Sequence, residues 1–447
     1  MKKQQCVCKL GRCPDARSSF KKGRFIYRRT VLRQACYDVV VAGGGPSGMG
    51  AALAAARQGA RTLLVEQNGF SGGNATAGYV LKFHGFVSKR RNYVVRGIPL
   101  ELVRKMKMAR GACAVADCAD GFVFDPECWK RTADDLLAAA GVEVLFHSFA
   151  ADVIRRKHDL EGVVIENKSG PLLVRGKVFI DATGTGDVAI RAGAEYQKGR
   201  KGDQAMQPMS LGFRLGNVAS FDIKEIRPLM RQGVAAGEIP FIGGPWIDFT
   251  GASPRNGEVL VNAVRMWGDA SDVFDLTRAE IEGRKAVEKI TAFLKKKAKP
   301  FSKCFLVDSA PVISFREANH ILGDYILTKE DVLAGRKFED GIAAGVWGVD
   351  IHSPTPGVDW NCTGLDDYYL IPYRCLLVKG IGNLLVAGGP ASFSHEAWAS
   401  TRVMGTCMAM GQAAGTAAAL SVRRNKSLRR IDVDELREVL KKKDVYL

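Results

Sequence analysis

The sequence predicts an α/β protein: a Rossmann-like dinucleotide-binding layer with an α+β segment inserted into it. Three observations predict this. A short apolar run, Val39–Ala42, leads straight into Gly43-Gly44-Gly45-Pro46-Ser47-Gly48 and then into an alanine-rich helical pattern, Met49–Arg57. A second strand pattern, Arg61–Glu66, ends on an acid. Late in the chain, Asn383–Ala387 reads as another buried strand, followed by a pattern so rich in Gly, Ala and Met (Val403–Leu420) that its helix must be closely packed.

The first of these elements carries the most chemistry. Gly43, Gly45 and Gly48 fill G-x-G-x-x-G: the first makes the tight turn, the second lets backbone approach a pyrophosphate, and the third lets helix pack on strand. Pro46 and Ser47 open a helix whose free N–H groups and positive dipole end suit phosphates. Glu66, with Gln67 beside it, stands where an acid accepts hydrogen bonds from a ribose. A second glycine-rich turn follows at once, Gly69-Phe70-Ser71-Gly72-Gly73-Asn74-Ala75-Thr76. Small residues there let the backbone pass close to the far end of a bound cofactor.

The elements between follow from pattern and capping. Asp125-Pro126-Glu127 begins a helix to about Ala140, with proline in the first turn where its missing N–H costs nothing. Val142–Phe146, Ala150–Arg155, Gly162–Glu166, Leu172–Arg175 and Val178–Asp181 read as short strands that complete the first domain. From about Gln204 to Asp359 the dinucleotide-binding pattern is interrupted by alternating segments (Ser210–Leu215, Glu258–Val264) and a long amphipathic helix, Arg278–Lys297.

With those residues in place, the chain resembles the FAD-dependent oxidoreductases related to fumarate reductase and succinate dehydrogenase flavoproteins, in particular a poorly characterised bacterial group. The likeness runs from about Tyr37 to Leu420. Four stretches carry it: Val39–Asn74; the strand and turn Val178–Asp187; Arg316–His352; and Tyr373-Arg374 through Asn383–Gly389, His395-Glu396-Ala397 and Gly411–Gly415. The resemblance implies an FAD-binding domain of the glutathione-reductase type made from residues 37–203 and 360–425. It implies a substrate or cap region at 204–359, flanked by a basic extension, 1–36, and a C-terminal tail, 426–447. It also implies FAD contacts at Gly72, Gly73, Asn74, Thr76, Thr183, Gly184, Gly186, Gly388, Gly389, Arg402, Val403 and Met404. Asp187 reads equally as a helix cap or a flavin contact. One departure stands out. Gly388-Gly389-Pro390 occupies a turn where a polar run such as Gly-Arg-Cys is expected, so no role for an arginine or cysteine carries over there.

Flavin chemistry needs a proton partner and, for an anionic substrate, a cationic clamp. His395, in the turn between the last strand and the last helix, can exchange protons near neutral pH, or serve as a hydrogen-bonded structural histidine. His352 has Asp350 two residues away. Arg316, Arg374 and Arg402 are candidate carboxylate clamps, each with the alternative of a salt bridge. Lys82 and His84 are weaker candidates for the flavin's other face. Cys407, inside the last helix, reads as inert packing, and no C-x-x-C pair points to disulfide chemistry.

Composition narrows the function classes. No apolar run reaches the ~18 residues of a membrane span. The first 36 residues carry eleven Lys or Arg against Asp15 and supply +10 of the net +18. The basicity is therefore largely a property of a disordered extension, and nucleic acid is not expected as a partner. Arg28-Arg29 lacks the apolar segment of an export signal. Eleven cysteines without such a signal fit reduced thiols in the cytoplasm. Cys6, Cys8 and Cys13 lack zinc-site spacing, so no metal is expected. The reading is an FAD-dependent oxidoreductase acting by hydride transfer on a small organic substrate, anionic if the arginines act as a clamp, with an unnamed electron partner. The alternative is a catalytically degenerate electron carrier or scaffold.

Overall fold

The computed structural model describes residues 30–31, 33–88, 92–114, 121–240, 248–250, 255–352, 360–361 and 365–447. Cys6, Cys8, Cys13 and the twin arginines lie outside the described residues.

A seven-stranded sheet organises the chain, in the order Glu143–Leu145, Thr62–Val65, Arg33–Ala42, Leu172–Asp181, Asp159–Glu166, Phe149–Arg156, with Leu384–Val386 also beside Leu172–Asp181. The strands at 143–145, 62–65, 33–42, 172–181 and 384–386 pair in parallel. Val39–Ala42 and Val178–Ile180 are almost wholly buried, as near-continuous apolar strands of a parallel sheet should be. The strands at 149–156 and 159–166 complete an antiparallel meander on one half of Leu172–Asp181, and Leu384–Val386 takes the other half of that edge.

Two strands are longer than the sequence pattern suggests. The first begins at Arg33, where Arg33–Cys36 pair with Leu172–Arg175, so the end of the basic extension belongs to the sheet. Leu172–Asp181 is one unbroken strand rather than two. Gly176, between the two segments, leaves room: a Cβ there would lie 2.9 Å from Val40 and 3.1 Å from the Phe179 ring.

The helix Pro46–Arg57 follows the first glycine turn and packs along the late helix Met404–Arg424. Their contact is backbone against backbone. A Cβ on Gly411 would sit 1.9 Å from the Ser47 carbonyl oxygen, one on Gly415 2.0 Å from that of Ala51, and one on Gly50 2.4 Å from that of Met408. Glycines on both helices therefore let the axes approach closely, and the final helix is buried along nearly its whole length.

The interrupting region holds its own four-stranded antiparallel sheet, in the order Asp248–Thr250, Val259–Asn262, Phe213–Gly216, Phe305–Ser309. The helix Val273–Lys297 begins one turn earlier than its apolar periodicity suggests, because the Asp272 carboxylate accepts N–H bonds from Phe274 and Asp275. Among the described residues no helix is long and apolar enough to cross a membrane, and no group of three His, Cys, Asp or Glu is placed to hold a metal ion.

Gly411→Ala tests the helix contact. Alanine ordinarily favours a helix over glycine by about 1 kcal/mol, but here the added methyl collides with a backbone carbonyl. A loss of about 1–3 kcal/mol is expected from overpacking, read as a lower Tm by calorimetry.

Candidate active site

Four segments remote in sequence meet at the C-terminal edge of the parallel strands. Gly43, at φ +96°, donates its N–H to Val65 O, and a Cβ on it would lie 2.4 Å from the Ala182 carbonyl oxygen. The turn after Leu172–Asp181 therefore rests directly on the first glycine turn. Gly72 donates to Gly44 O at 2.8 Å, and a Cβ on Gly73 would lie 2.9 Å from Gly45 Cα, so the second glycine loop lies on the same spot. Gly388, at φ +84°, completes the ring: its Cβ would lie 2.5 Å from Ser47 Oγ. Pro46 and Ser47 form the first turn of the helix that points its N-terminus at this junction.

Glu66 is buried at the end of the second strand. Its carboxylate accepts N–H bonds from Gly44 at 2.7 Å and from the Asn68 backbone and side chain at 2.7 and 2.8 Å. Burial pushes its pKa up, against these hydrogen bonds. Gln67 beside it is exposed. Asp181 is fully buried and structural: it accepts from Thr183 N and Oγ1 and from Ala189 N, fixing the turn to the following short helix. Thr183 Oγ1 in turn accepts the Asp187 N–H, while Asp187 opens that helix and pairs with Arg191 at 3.5 Å. Thr76 donates to Ser71 O, holding the second loop in shape.

The glycines differ in why they are needed. Gly43 and Gly48 answer to the protein itself; a Cβ on Gly48 would sit 1.7 Å from Gly43 O. Gly45 has an ordinary φ of −67°, and its Cβ would meet only Gly73 Cα, at 3.9 Å. Nothing in the protein excludes a side chain there. The opening in front of Gly45 and the helix N-terminus thus fits an approaching phosphate group.

The segment Ser314–Glu317 crosses this junction. Phe315 O accepts from Asn74 Nδ2 at 3.1 Å, the Phe315 ring covers Gly184, and Arg316 O accepts from Trp398 Nε1 at 2.6 Å. A Cβ on Gly389 would lie 3.3 Å from the same Trp398 ring, and one on Gly186 would meet Ile321 and Pro390. The Gly388-Gly389-Pro390 turn is therefore packed into the site wall.

His395 opens a short helix, His395–Thr401, capped by Ser394, where the sequence suggests only a turn. Its Nδ1 lies 2.7 Å from Glu317 Oε1. Glu317 is fully buried, and its other oxygen accepts the Gln207 N–H at 2.9 Å. Burial alone would push the Glu317 carboxyl up, but hydrogen bonds and charge from His320 and His395 hold it at about 2. Facing an ionised carboxylate, which only accepts, His395 Nδ1 carries a proton.

Beside this pair is a cationic cluster. Arg316 donates to Ser210 Oγ at 2.7 Å and Pro208 O at 3.0 Å, and the buried Arg265 donates to the same Ser210 Oγ at 2.9 Å. Arg402 donates to the Asp350 carbonyl and carboxylate at 3.1 and 3.0 Å. His352 Nε2 is 3.5 Å from that carboxylate. Burial lowers the His352 pKa to about 4, helped by the charges of Arg316 and Arg265 and opposed by Asp350. Arg402 Nε and Gln207 Nε2 are buried donors without a hydrogen-bond partner among the described residues. Val403 and Met404 begin the final helix next to Arg402.

Not every candidate joins the group. The half-exposed Arg374 spends its guanidinium on Asp340 at 2.9 and 3.2 Å and shares no partner with His395, His352 or Arg316. Lys82 and His84 lie on a small sheet of their own that packs on Val403 and Gly405, and the His84 ring lies against Trp347. Burial pushes the Cys407 thiol up to about 12, consistent with inert packing. Glu317, His320 and Arg265 are not among the candidates the sequence offers. The signal available was Arg316-Glu317-Ala318-Asn319-His320, a charged stretch amid apolar segments.

Comparison with known proteins gives this arrangement its family. Residues 38–440 match the family described as FAD dependent oxidoreductase, and the chain belongs to it. FAD is accordingly its cofactor, and the protein is an oxidoreductase. A digeranylgeranylglycerophospholipid reductase of Methanocaldococcus jannaschii is 28% identical over 164 residues, 36% of this chain and 42% of that protein. A thiamine thiazole synthase of Methanococcus vannielii is 30% identical over 162 residues, 33% of this chain and 56% of that protein. The matches thus span roughly half or less of these curated relatives. Among solved structures, a geranylgeranyl bacteriochlorophyll reductase-like protein of Thermoplasma acidophilum aligns at 14% identity with TM-score 0.46, over 92% of this chain and 84% of that one. The chondrochloren halogenase of a myxobacterium aligns at 17% identity with TM-score 0.47, over 91% and 78%. The finer kinship to fumarate reductase and succinate dehydrogenase flavoproteins does not emerge from these relatives.

Two predictions follow from the geometry. Gly45→Ala should keep the wild-type Tm of FAD-free protein but lose FAD affinity by tenfold or more in a fluorescence titration, whereas Gly48→Ala should destabilise the FAD-free protein itself. The folded pKa of His352 lies below its unfolded value of 6.5. The unfolded chain therefore binds more protons in that window, and stability falls as pH drops from about 6.5 through about 4, by ~1–3 kcal/mol. His352→Gln should flatten that part of the urea-denaturation profile.

Proposed function

We propose that this member of the FAD dependent oxidoreductase family oxidises or reduces a small anionic organic molecule by hydride transfer to or from the flavin, with His395 exchanging the accompanying proton. The observation that carries the reading is the buried hydrogen bond of 2.7 Å between His395 Nδ1 and Glu317, set against the wall of the glycine cradle. When bound, FAD supplies the two-electron acceptor or donor.

The chain's own residues supply the rest. Gly43 and Gly48 hold the turn, Gly45, Gly72 and Gly73 present backbone to the pyrophosphate, and the helix at Pro46-Ser47 adds its dipole. Glu66 takes the ribose hydroxyls, with Gln67 alongside. Asn74, Thr183, Gly184, Gly186, Gly388, Gly389 and the Arg402–Met404 segment shape the far end of the cradle, and Asp187 holds the Thr183 turn. Glu317 orients His395 so that Nε2 takes a proton from, or returns one to, the substrate. Arg316, Arg265 and Arg402 draw a carboxylate or phosphate towards that atom, and the buried donors Arg402 Nε and Gln207 Nε2 offer it hydrogen bonds. His352, held neutral, adds a polar wall without adding charge.

The glutathione-reductase type of the FAD domain, the kinship to fumarate reductase and succinate dehydrogenase flavoproteins, and a cytoplasmic setting belong to this proposal. Parallel strands flanking Arg33–Ala42 support the first, the cationic cluster the second, and the free thiols of Cys36, Cys128, Cys304, Cys375 and Cys407 the third. The degenerate-carrier alternative has no support: the Gly388-Gly389-Pro390 turn that motivates it is an integral part of the cradle.

The experiment is an anaerobic screen of small carboxylic acids and phosphate esters, with neutral analogues, followed by flavin absorbance. Bleaching by an anionic compound, slowed by ~10²–10⁴ in His395→Gln, is the expected result. Bleaching confined to neutral compounds, or a His395→Gln variant as fast as wild type, would refute the reading.

A further inference from the structure

His320 lies behind His395, and the reading above gives it no task. Its ring is 2% exposed and stacked on Trp398 with centroids 4.3 Å apart, so its orientation is fixed. Nδ1 lies 2.8 Å from the Phe393 carbonyl oxygen, and Nε2 lies 2.9 Å from Glu317 Oε1. A carbonyl oxygen only accepts, so Nδ1 must carry a proton.

The second ring nitrogen can be assigned by counting hydrogens. Glu317 Oε1 sits between His320 Nε2 and His395 Nδ1, and Oε2 already receives the Gln207 N–H. Each of the two gaps at Oε1 needs one hydrogen. An acid proton on Oε2 would point at an N–H donor; one on Oε1 would reach His320 Nε2 but leave a carboxyl hydroxyl oxygen, a poor acceptor, to receive the His395 Nδ1–H. An ionised carboxylate with a proton on each facing nitrogen satisfies all three contacts, and the low carboxyl pKa of about 2 agrees with that.

We infer that His320 is a positioning residue for the reaction: doubly protonated, it forms with ionised Glu317 a buried, net-neutral pair that holds His395 in the Nδ1–H tautomer. A carboxylate standing alone behind an imidazole stabilises the imidazolium. Paired with a fixed cation it orients the ring while exerting much less of that pull, so Nε2 stays able to accept a proton.

Charged residues on the surrounding elements are engaged or lie to the side. Lys198, on the strand paired with His320, binds Asp269 at 2.7 Å. Arg316, next in chain to Glu317, is directed to Ser210 and Pro208. Asp187, beyond the Asn319–Thr185 hydrogen bond, pairs with Arg191, and Glu396 sits in the first turn of the His395 helix.

The inference uses the assignment of His395 as the proton-exchanging residue, but the proton count on His320 does not depend on it. The test is ¹⁵N NMR of histidine-labelled FAD-bound protein at neutral pH, assigned with His320→Gln and His395→Gln. The expected spectrum has one histidine protonated on both nitrogens and absent from His320→Gln. A second, absent from His395→Gln, is protonated on Nδ1 alone. In His320→Gln, which keeps a donor to Glu317 but removes the charge, the His395 signals should move towards the doubly protonated pattern; a merely structural loss would not produce that signature. Should His320→Gln not fold, through-bond correlations in the wild type give the same count. A single ring proton on His320 overturns the inference even if His395→Gln abolishes flavin bleaching. Normal bleaching by His395→Gln with His320 doubly protonated removes the functional reading while leaving the ion pair in place.

Discussion

The site depends on backbone meeting backbone with no room for a methyl group. Gly43 presses on the carbonyl of Ala182, Gly48 on that of Gly43, and Gly411 on that of Ser47. These contacts fix the distance between the first strand, the first helix, the strand Leu172–Asp181 and the last helix. Once those distances are set, the turns at 43–45, 72–74, 182–186 and 388–390 have only one place to meet. The cradle is thus a consequence of packing. Of the three fingerprint glycines, Gly45 is the one the protein leaves open, and so available to a ligand.

A second constraint governs the reacting end. Glu317 has no exposure to solvent, so its charge persists only because three donors surround it. Removing any one leaves a buried carboxylate short of partners. The arrangement ties the Ser314–Glu317 crossing, the His320 strand and the His395 helix into one unit, with Trp398 stacked between. Asp350 plays a similar part for Arg402 and His352. Charge is therefore gathered in two centres, one behind His395 and one beside it.

Much of this was legible in the sequence, for identifiable reasons. The strand–glycine–helix–strand–acid order is dictated by local geometry, so reading it locally suffices. The return strand and the final helix were visible because a helix packed against backbone must be made of small residues. What was not legible depends on distance in the chain. Glu317 and His395 are 78 residues apart, and only the fold reveals that they touch. Arg374 and Arg316 look alike in sequence, yet Asp340 engages the first while Ser210 turns the second into the site. Leu172–Arg175 and Val178–Asp181 read as two strands in the sequence, yet they are one, with Gly176 between them leaving room for Val40 and the Phe179 ring. The onset of the strand at Arg33 was hidden by basic residues that read as a tail.

The most direct test of the account is a crystal structure of the protein with FAD bound. The account predicts the pyrophosphate against Gly43–Gly48 and Gly72-Gly73, the ribose on Glu66, and His395 Nε2 facing the flavin ring across the substrate space. A cofactor seated elsewhere, or a His395 ring screened from the flavin by other side chains, would contradict it.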